Sequence, residues 1–389
     1  MIAMNDIDSL LGGYRDFLVV GGVAALVTLV LTPFTRLLAF RVGAVAPPGD
    51  RKVHAIPTPS LGGLAMLGGV AAGLLTAWIL GSFEDVFRSF SDIAGVAVAG
   101  LIIFAVGLFD DIREVSAPAK VAGIVLAGVA LALAGVSVLW FRVPFAGFVQ
   151  LSSDLSVVVT VVWLLVMANA VNLIDGLDGL AAGIVAIASG TFFIYAVQLG
   201  NDGVLFEGNP GALLAVITCG VCIGFLPLNM HPAKTFMGDG GALLLGLMLA
   251  ASTVSVGGRI DQPVSGQVFF FFAPLVIPLL LLGVPLIDLL LAVLRRATRK
   301  GVAISDADKE HLHHRLMRLG HGHRRTVLIL WLWTLLLCGM VLYSTITDSG
   351  VALMPFAGGA LALLLYTVFR PGIGEQPPAT ASSTPADRN

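Results

Sequence analysis

The sequence predicts an all-α protein that crosses a membrane many times, and three features carry that expectation. Of its 389 residues, 57% are hydrophobic and only 12% are charged; with a mean hydropathy of +0.95 there is too little polar surface to cover a water-soluble globule. The apolar residues gather into runs near the ~17 to 25 residues that cross a hydrocarbon core about 30 Å thick. The basic residues, finally, fall mainly in the segments between alternate runs.

Eleven runs are expected to span: 17 to 40, 61 to 81, 93 to 109, 119 to 140, 156 to 174, 180 to 199, 211 to 228, 241 to 256, 267 to 294, 326 to 347 and 351 to 369. The third and eighth are short. "MIAMNDIDSLLGGYRDF" is acidic and has no clear small-residue cleavage site, so the first run reads as an uncleaved span and not a signal peptide. The run 267 to 294 would extend about 42 Å as a helix, more than the core, and Pro274, Pro278 and Pro285 offer places to bend. Residues 1–369 thus read as one integral-membrane domain, and the Pro/Ala/Ser/Thr-rich 370–389 as a disordered cytoplasmic tail.

With the N-terminus outside and the C-terminus in the cytoplasm, the inner loops and tail hold seventeen of the twenty-two Lys and Arg, while the external segments hold Arg15, Arg88, Arg142 and Arg259. That is the positive-inside pattern. His54, His231, His311, His313, His314, His321 and His323 fall on the same inner side. Cys219, Cys222 and Cys338 lie inside apolar runs, and "CGVC" has no second ligand pair, so they read as small buried helix residues.

Five polar stretches emerge on that inner side: "PPGDRKVHAIPTPSLGG", "GLFDDIREVSAPAK", "NAVNLIDGLDGLAAG", "NMHPAKTFMGDGGALLLG" and "DADKEHLHHRLMRLGHGHRR". Their convergence is the strongest signal in the chain. Asp110, Asp111, Asp175, Asp178 and Asp239 lie at the ends of spans beside Lys52, Lys120 and Lys234. An unpaired charge at membrane depth costs at least about 2.5 kcal/mol, so such groups face a wet cavity, a partner or a metal. Oxygen donors of this kind suit Mg²⁺ or Mn²⁺. Gly176, Gly179, Gly238, Gly240 and Gly241 permit close backbone approach, and the helix N-termini beyond them offer N–H groups to phosphate. On one unbroken helix Asn172 and Asp175 would share a face while Asn169 and Asp178 would point in opposite directions, so a break is expected near Gly176. The histidine-rich stretch lacks the ligands of a complete zinc shell and, among Arg315, Arg318, Arg324 and Arg325, reads better as an anion clamp.

"GLFDD", "NAVNLIDGLDGLAAG", "FMGDGGALLLG" and "HLHHRLMRLGH", in that order on alternate loops, resemble the polyprenyl-phosphate N-acetylhexosamine-1-phosphate transferases over residues 33 to 325. "RKVHAIPTP" is similar to that family's first cytoplasmic loop, and His-x-His-His resembles the WecA and TagO branch, which uses UDP-N-acetylglucosamine, more than the MraY branch. Ser60 and Ala242 depart from the family's usual Arg and Ser. The resemblance implies transfer of sugar-1-phosphate from a UDP-sugar donor to a polyprenyl phosphate in a bacterial plasma membrane, releasing UMP at the cytoplasmic face, as the first membrane step of cell-envelope glycan synthesis. It implies a metal, Mg²⁺ or Mn²⁺, on Asp239 with Asn172. It places Asp110, Asp111, Asp175, His311, His313 and His314 in the catalytic set. Gly176, Leu177, Asp178, Asn229 and Phe236 resemble the uridine pocket, and Lys52, Lys120 and Arg315 face the diphosphate. No nucleic-acid partner is expected, and a homodimer is compatible with the chain.

Three rivals stand beside this reading. The first is the same chemistry on another UDP-N-acetylhexosamine or the MurNAc-pentapeptide donor. A CDP-alcohol phosphotransferase would need Arg at Gly183 and a following D-x3-D. A secondary transporter would place its ionisable residues near the bilayer midplane between repeats, whereas these gather at one surface.

Overall fold

The computed structural model describes residues 14–46, 57–113, 115–143, 147–259, single positions between 283 and 290, 316–317, 319–347 and 353–369. In chain order the helices are α1 (Arg15–Val42), α2 (Gly62–Leu80), α3 (Glu84–Arg88), α4 (Phe90–Ile112), α5 (Ala117–Leu133), α6 (Ser153–Ile174), α7 (Leu180–Asn201), α8 (Gly211–Asn229), α9 (Gly238–Gly257), α10 (His323–Thr347) and α11 (Leu353–Phe369). Eight of them, α1, α2, α4, α6, α7, α8, α9 and α10, are long and apolar enough to cross a membrane, and α5 and α11 are shorter apolar helices. The chain is a polytopic membrane protein.

The two runs that look short in the sequence form full helices, 23 residues for α4 and 20 for α9, because their Asp-bearing ends are helical too. The run 119 to 140 behaves differently. Its helix stops at Leu133, Gly135 turns the chain at φ 108°, and Leu139 and Trp140 donate to the Gly258 carbonyl (2.8 and 3.1 Å). Val136 and Val138 are buried by protein, so their apolar character reflects packing and not a longer span. A hairpin follows, Trp140–Val143 paired antiparallel with Gly147–Gln150, and Val45–Ala46 pairs antiparallel with Thr58–Pro59. The all-α expectation is therefore corrected by two short two-stranded sheets. The run 267 to 294 lies almost wholly outside the described residues, as do the tail 370–389 and most of the histidine-rich stretch.

Helix α9 forms the centre. Every residue from Gly240 to Gly257 is buried, and α9 packs against α2, α4, α6 and α8. A helix that is apolar or small on all sides has no face to give to water, and burial on every side is what its composition demands. Small residues let its neighbours come close: a Cβ on Gly246 would lie 2.4 Å from the Ala168 Cα of α6. Trp163 of α6 donates its indole N–H to Thr253 Oγ1 at 2.9 Å. The outer helices carry the opposite pattern, with Phe34, Trp78, Leu101, Leu126 and Ile223 exposed as a lipid-facing surface requires. At the first turn of α4, Asp92 pairs with Arg259 at 2.7 Å, and Arg259 also donates to the Gly135 carbonyl. This pair lies at the far end of α4 from Asp110 and Asp111, roughly 27 Å away along the helix at 1.5 Å per residue.

Candidate active site

The first turn of α9 is clasped by glycine. A Cβ on Gly107 of α4 would stand 2.5 Å from both Gly240 N and Cα, so α4 and α9 touch backbone to backbone there. Gly238 adopts φ +69°, and a Cβ on it would meet Asp111 Oδ2 at 2.4 Å. With no side chain in the way, Asp111 accepts from the backbone N–H of Asp239 (2.8 Å) and of Gly240 (3.1 Å). Both belong to the free N–H groups that open a helix, where negative charge is favoured. The first loop supports the same turn: Phe236 donates to the Pro59 carbonyl (2.8 Å), while Gly62 and Gly63 donate to the Phe236 and Met237 carbonyls (2.9 and 2.8 Å).

Asp239, thus fixed, meets two side chains. Asn172 Nδ2 donates to its Oδ1 at 2.8 Å, and the Lys120 ammonium bonds its Oδ2. Lys120 also reaches Asp110 Oδ2 at 3.0 Å, and Asp110 Oδ1 accepts from the Val115 N–H at 2.7 Å. Asp175 follows the last residue of α6 and begins the break that ends at Gly179, φ +77°. Its burial, with the charges of Asp239, Asp111 and Asp178 around it, holds its carboxyl well above the usual carboxylate range. Among the described residues, the ammonium bonded to this group of carboxylates is that of Lys120. Carboxylate and amide oxygens are the donors a hard divalent cation takes, and Lys120 lodged between Asp110 and Asp239 shows that the place attracts positive charge.

A second group sits on the other side of the α6–α7 turn. Asp178 Oδ2 meets His231 Nδ1 at 2.7 Å and accepts from the Ala233 N–H at 3.1 Å. His323, the first residue of α10, brings Nε2 to 3.9 Å from the same oxygen. Asn229 is buried and stitches the two segments: its Oδ1 accepts from the Gly179 N–H (3.0 Å) and its Nδ2 donates to the Thr235 carbonyl (3.1 Å).

The structure therefore gathers Asp110, Asp111, Lys120, Asn172 and Asp239, with Asp175 beside them, and places Asp178 and Asn229 together across the turn. Gly176 is exposed, Leu177 buried and Phe236 half-buried on the same turn and loop. Asn169 turns back to its own helix, donating to the Leu165 carbonyl at 2.8 Å. Ser60 donates to the Ala44 carbonyl at 3.2 Å, and Ala242 is fully buried in α9. Lys52, His311, His313, His314 and Arg315 lie outside the described residues. Sequence reasoning missed Gly107, whose closeness to α9 has no local signal, and the partnership of His231 and His323 with Asp178. For His231 there was a signal, its place two residues after Asn229 in "NMHPAKTFMGDGG".

The model of glycosyl transferase family 4 matches residues 93–257, from the first turn of α4 to the end of α9. A decaprenyl-phosphate N-acetylglucosaminephosphotransferase of Mycobacterium tuberculosis is 42% identical over 82% of this chain and 80% of its own length. The enzyme of that name from Mycolicibacterium smegmatis is 39% identical over 91% of this chain and 88% of its own. A protein of Bacillus subtilis named "Probable undecaprenyl-phosphate N-acetylglucosaminyl 1-phosphate transferase" is 37% identical over 80% of each chain. With its carboxylate cluster built on the matched helices and relatives this similar along most of its length, the chain belongs to glycosyl transferase family 4, among the polyprenyl-phosphate N-acetylhexosamine-1-phosphate transferases.

Proposed function

We propose that this protein transfers N-acetylglucosamine-1-phosphate from UDP-N-acetylglucosamine to a decaprenyl or undecaprenyl phosphate and releases UMP. The observation that carries the reading is Asp239 at the half-buried start of α9, bonded by Asn172 and Lys120 and backed by Asp111. The names of the similar proteins supply the sugar and the lipid. The chain works as one membrane domain of eleven spans, N-terminus outside and C-terminus inside, with its five polar loops on the cytoplasmic face of a bacterial plasma membrane. The distribution of Lys and Arg supports this orientation.

In the reaction an oxygen of the lipid phosphate forms a bond to the β-phosphorus of the donor. The bond from that phosphorus to the oxygen bridging the α-phosphate breaks, and UMP departs with the bridging oxygen. A phosphate monoester has its second pKa near ~6, so the acceptor is already largely dianionic at pH 7 and one-step displacement needs no strong base. Asp110, held by Lys120 and Val115, positions the acceptor or takes its residual proton. Lys120 neutralises the diphosphate, together with Lys52, Arg315, His311, His313 and His314 from the loops. Both oxygens of Asp111 are taken by the backbone of α9, so its part is to hold that helix end and with it Asp239. Gly176, Leu177, Asp178, Asn229 and Phe236 shape the uridine pocket, and Asp175, whose burial beside Asp239, Asp111 and Asp178 favours the neutral carboxyl, is a proton-holding member of the catalytic set. Asp239 with Asn172 would hold Mg²⁺, or Mn²⁺ in its place, and the bound cation would supply charge neutralisation on the diphosphate.

The test is UMP release in membranes containing the protein. UDP-N-acetylglucosamine with added polyprenyl phosphate is expected to yield UMP and a lipid-linked sugar diphosphate together, and UDP-N-acetylmuramoyl-pentapeptide is expected to yield neither. Turnover of the second donor alone would move the protein to the other branch, and UMP without lipid product would reject the transfer.

A further inference from the structure

His323 presents an anomaly. Its side chain is only 10% exposed, and both ring nitrogens are buried without a hydrogen-bond partner among the described residues. Burying imidazole nitrogens unpaired costs free energy that one ligand would recover. The ring stacks on that of His231, centroids 4.2 Å apart, and faces Asp178. The nearest ligand atoms of Asp178, His231 and His323 all lie within 4.8 Å of one another. The three residues come from three separate elements, the α6–α7 turn, the α8–α9 loop and the first turn of α10, and they open onto a cavity of about 310 Å³ walled by Val327 and Trp331.

We propose that Asp178, His231 and His323 form a binding site for a transition-metal cation of the Zn²⁺ class, separate from the oxygen site at Asp239, with its fourth position open to the cavity. Two imidazoles and a carboxylate suit Zn²⁺, whereas Mg²⁺ prefers oxygen alone. The spacing fits as well. Ligand atoms about 2.05 Å from a tetrahedral metal stand roughly 3.3 Å apart, and the distances from Asp178 Oδ2 to the two rings, 2.7 and 3.9 Å, bracket that value. Arg324, the nearest cation along the chain, is turned to the His231 carbonyl at 3.4 Å. Occupancy fastens α10 to the α6–α7 turn. Asp178 is shared with the uridine pocket proposed above, but the two histidines are not part of it.

The experiment uses the full chain purified in detergent, stripped by a chelator and titrated with Zn²⁺ in excess Mg²⁺ against a chromogenic chelator. One Zn²⁺ per chain is expected to bind. His323→Ala should weaken it roughly 100-fold or more, as should His231→Asn, which keeps an N–H donor for Asp178 while removing the imidazole. Retained helical content of both variants by circular dichroism distinguishes ligand loss from misfolding. Failure of the unaltered chain to take up Zn²⁺ in excess Mg²⁺ would overturn the proposal. So would undiminished binding in both variants with loss in a chain carrying alanine at His311, His313 and His314. Because the readout is metal binding, it is independent of which sugar nucleotide the protein uses.

Discussion

Replacing Gly107 by alanine adds a single methyl group that carries no charge and makes no hydrogen bond, yet it should disable the site. The new Cβ would stand 2.5 Å from Gly240 N and Cα and 2.6 Å from the Asp239 carbonyl carbon, where ordinary contact needs 3.4–4 Å. Those atoms are backbone and cannot swing aside, so α4 and α9 must part by about 1 Å, an overpacking that costs about 1–3 kcal/mol. The separation also pulls Asp111 from the two N–H groups it accepts, at 2.8 and 3.1 Å. Asp239 then moves relative to Asn172 and Lys120, and a misplacement of about 1 Å lowers turnover roughly 100-fold. The assay is UMP release from detergent-solubilised protein, paired with a thermal unfolding curve. Gly22→Ala is the control, since nothing lies within 4 Å of its added Cβ, and it should leave both readouts unchanged. Normal turnover and an unaltered unfolding midpoint for Gly107→Ala would refute the close approach of α4 and α9 as the device that sets the site.

Lys120→Met removes the ammonium that joins Asp110 to Asp239 and should lower turnover by roughly 100-fold or more, as loss of one charge-stabilising donor does elsewhere; single-turnover rates at saturating donor check it. Arg259→Met leaves Asp92 buried without its partner at the opposite end of α4, so stability should fall by about 3–5 kcal/mol while turnover per folded molecule is unchanged, as active-site titration of the folded fraction would show. A cysteine at Asp202 should react with an impermeant reagent from outside intact cells and one at Lys309 should not, the reverse pattern contradicting the orientation.

Much of the site was legible because its chemistry conflicts with its surroundings. Asp110, Asp111, Asp175, Asp178 and Asp239 stand out against apolar runs, and the two glycines that require positive φ, Gly179 and Gly238, punctuate the same motifs. A break near Gly176 could be inferred since an intact helix would point Asn169 and Asp178 in opposite directions, and the helix does stop at Ile174. Pairings across the fold were not legible. That Lys120 would serve Asp110 and Asp239 at once, or that Asp111 would accept from the two N–H groups opening α9, depends on how close two helices come. Gly107 sets that distance and looks like any membrane glycine. The hairpin after Leu133 was hidden for a related reason: Val136, Val138 and Leu139 are as apolar as lipid-facing residues, and hydropathy does not distinguish burial in protein from burial in lipid.

The proposed transfer turns on Asp239 as the carboxylate that would hold the metal, with Asp110 acting on the acceptor. Residual transfer rate measured against Mg²⁺ concentration for Asp239→Asn and Asp110→Asn separates the two roles. Asp239→Asn is expected to abolish turnover at ordinary Mg²⁺ and to shift any remaining activity to much higher concentrations. Asp110→Asn is expected to lower turnover with little change in the Mg²⁺ needed, since the attacking dianion forms without it. Ordinary activity of Asp239→Asn at ordinary Mg²⁺ would contradict the account at its centre and move the metal to Asp110, Asp111 or Asp178.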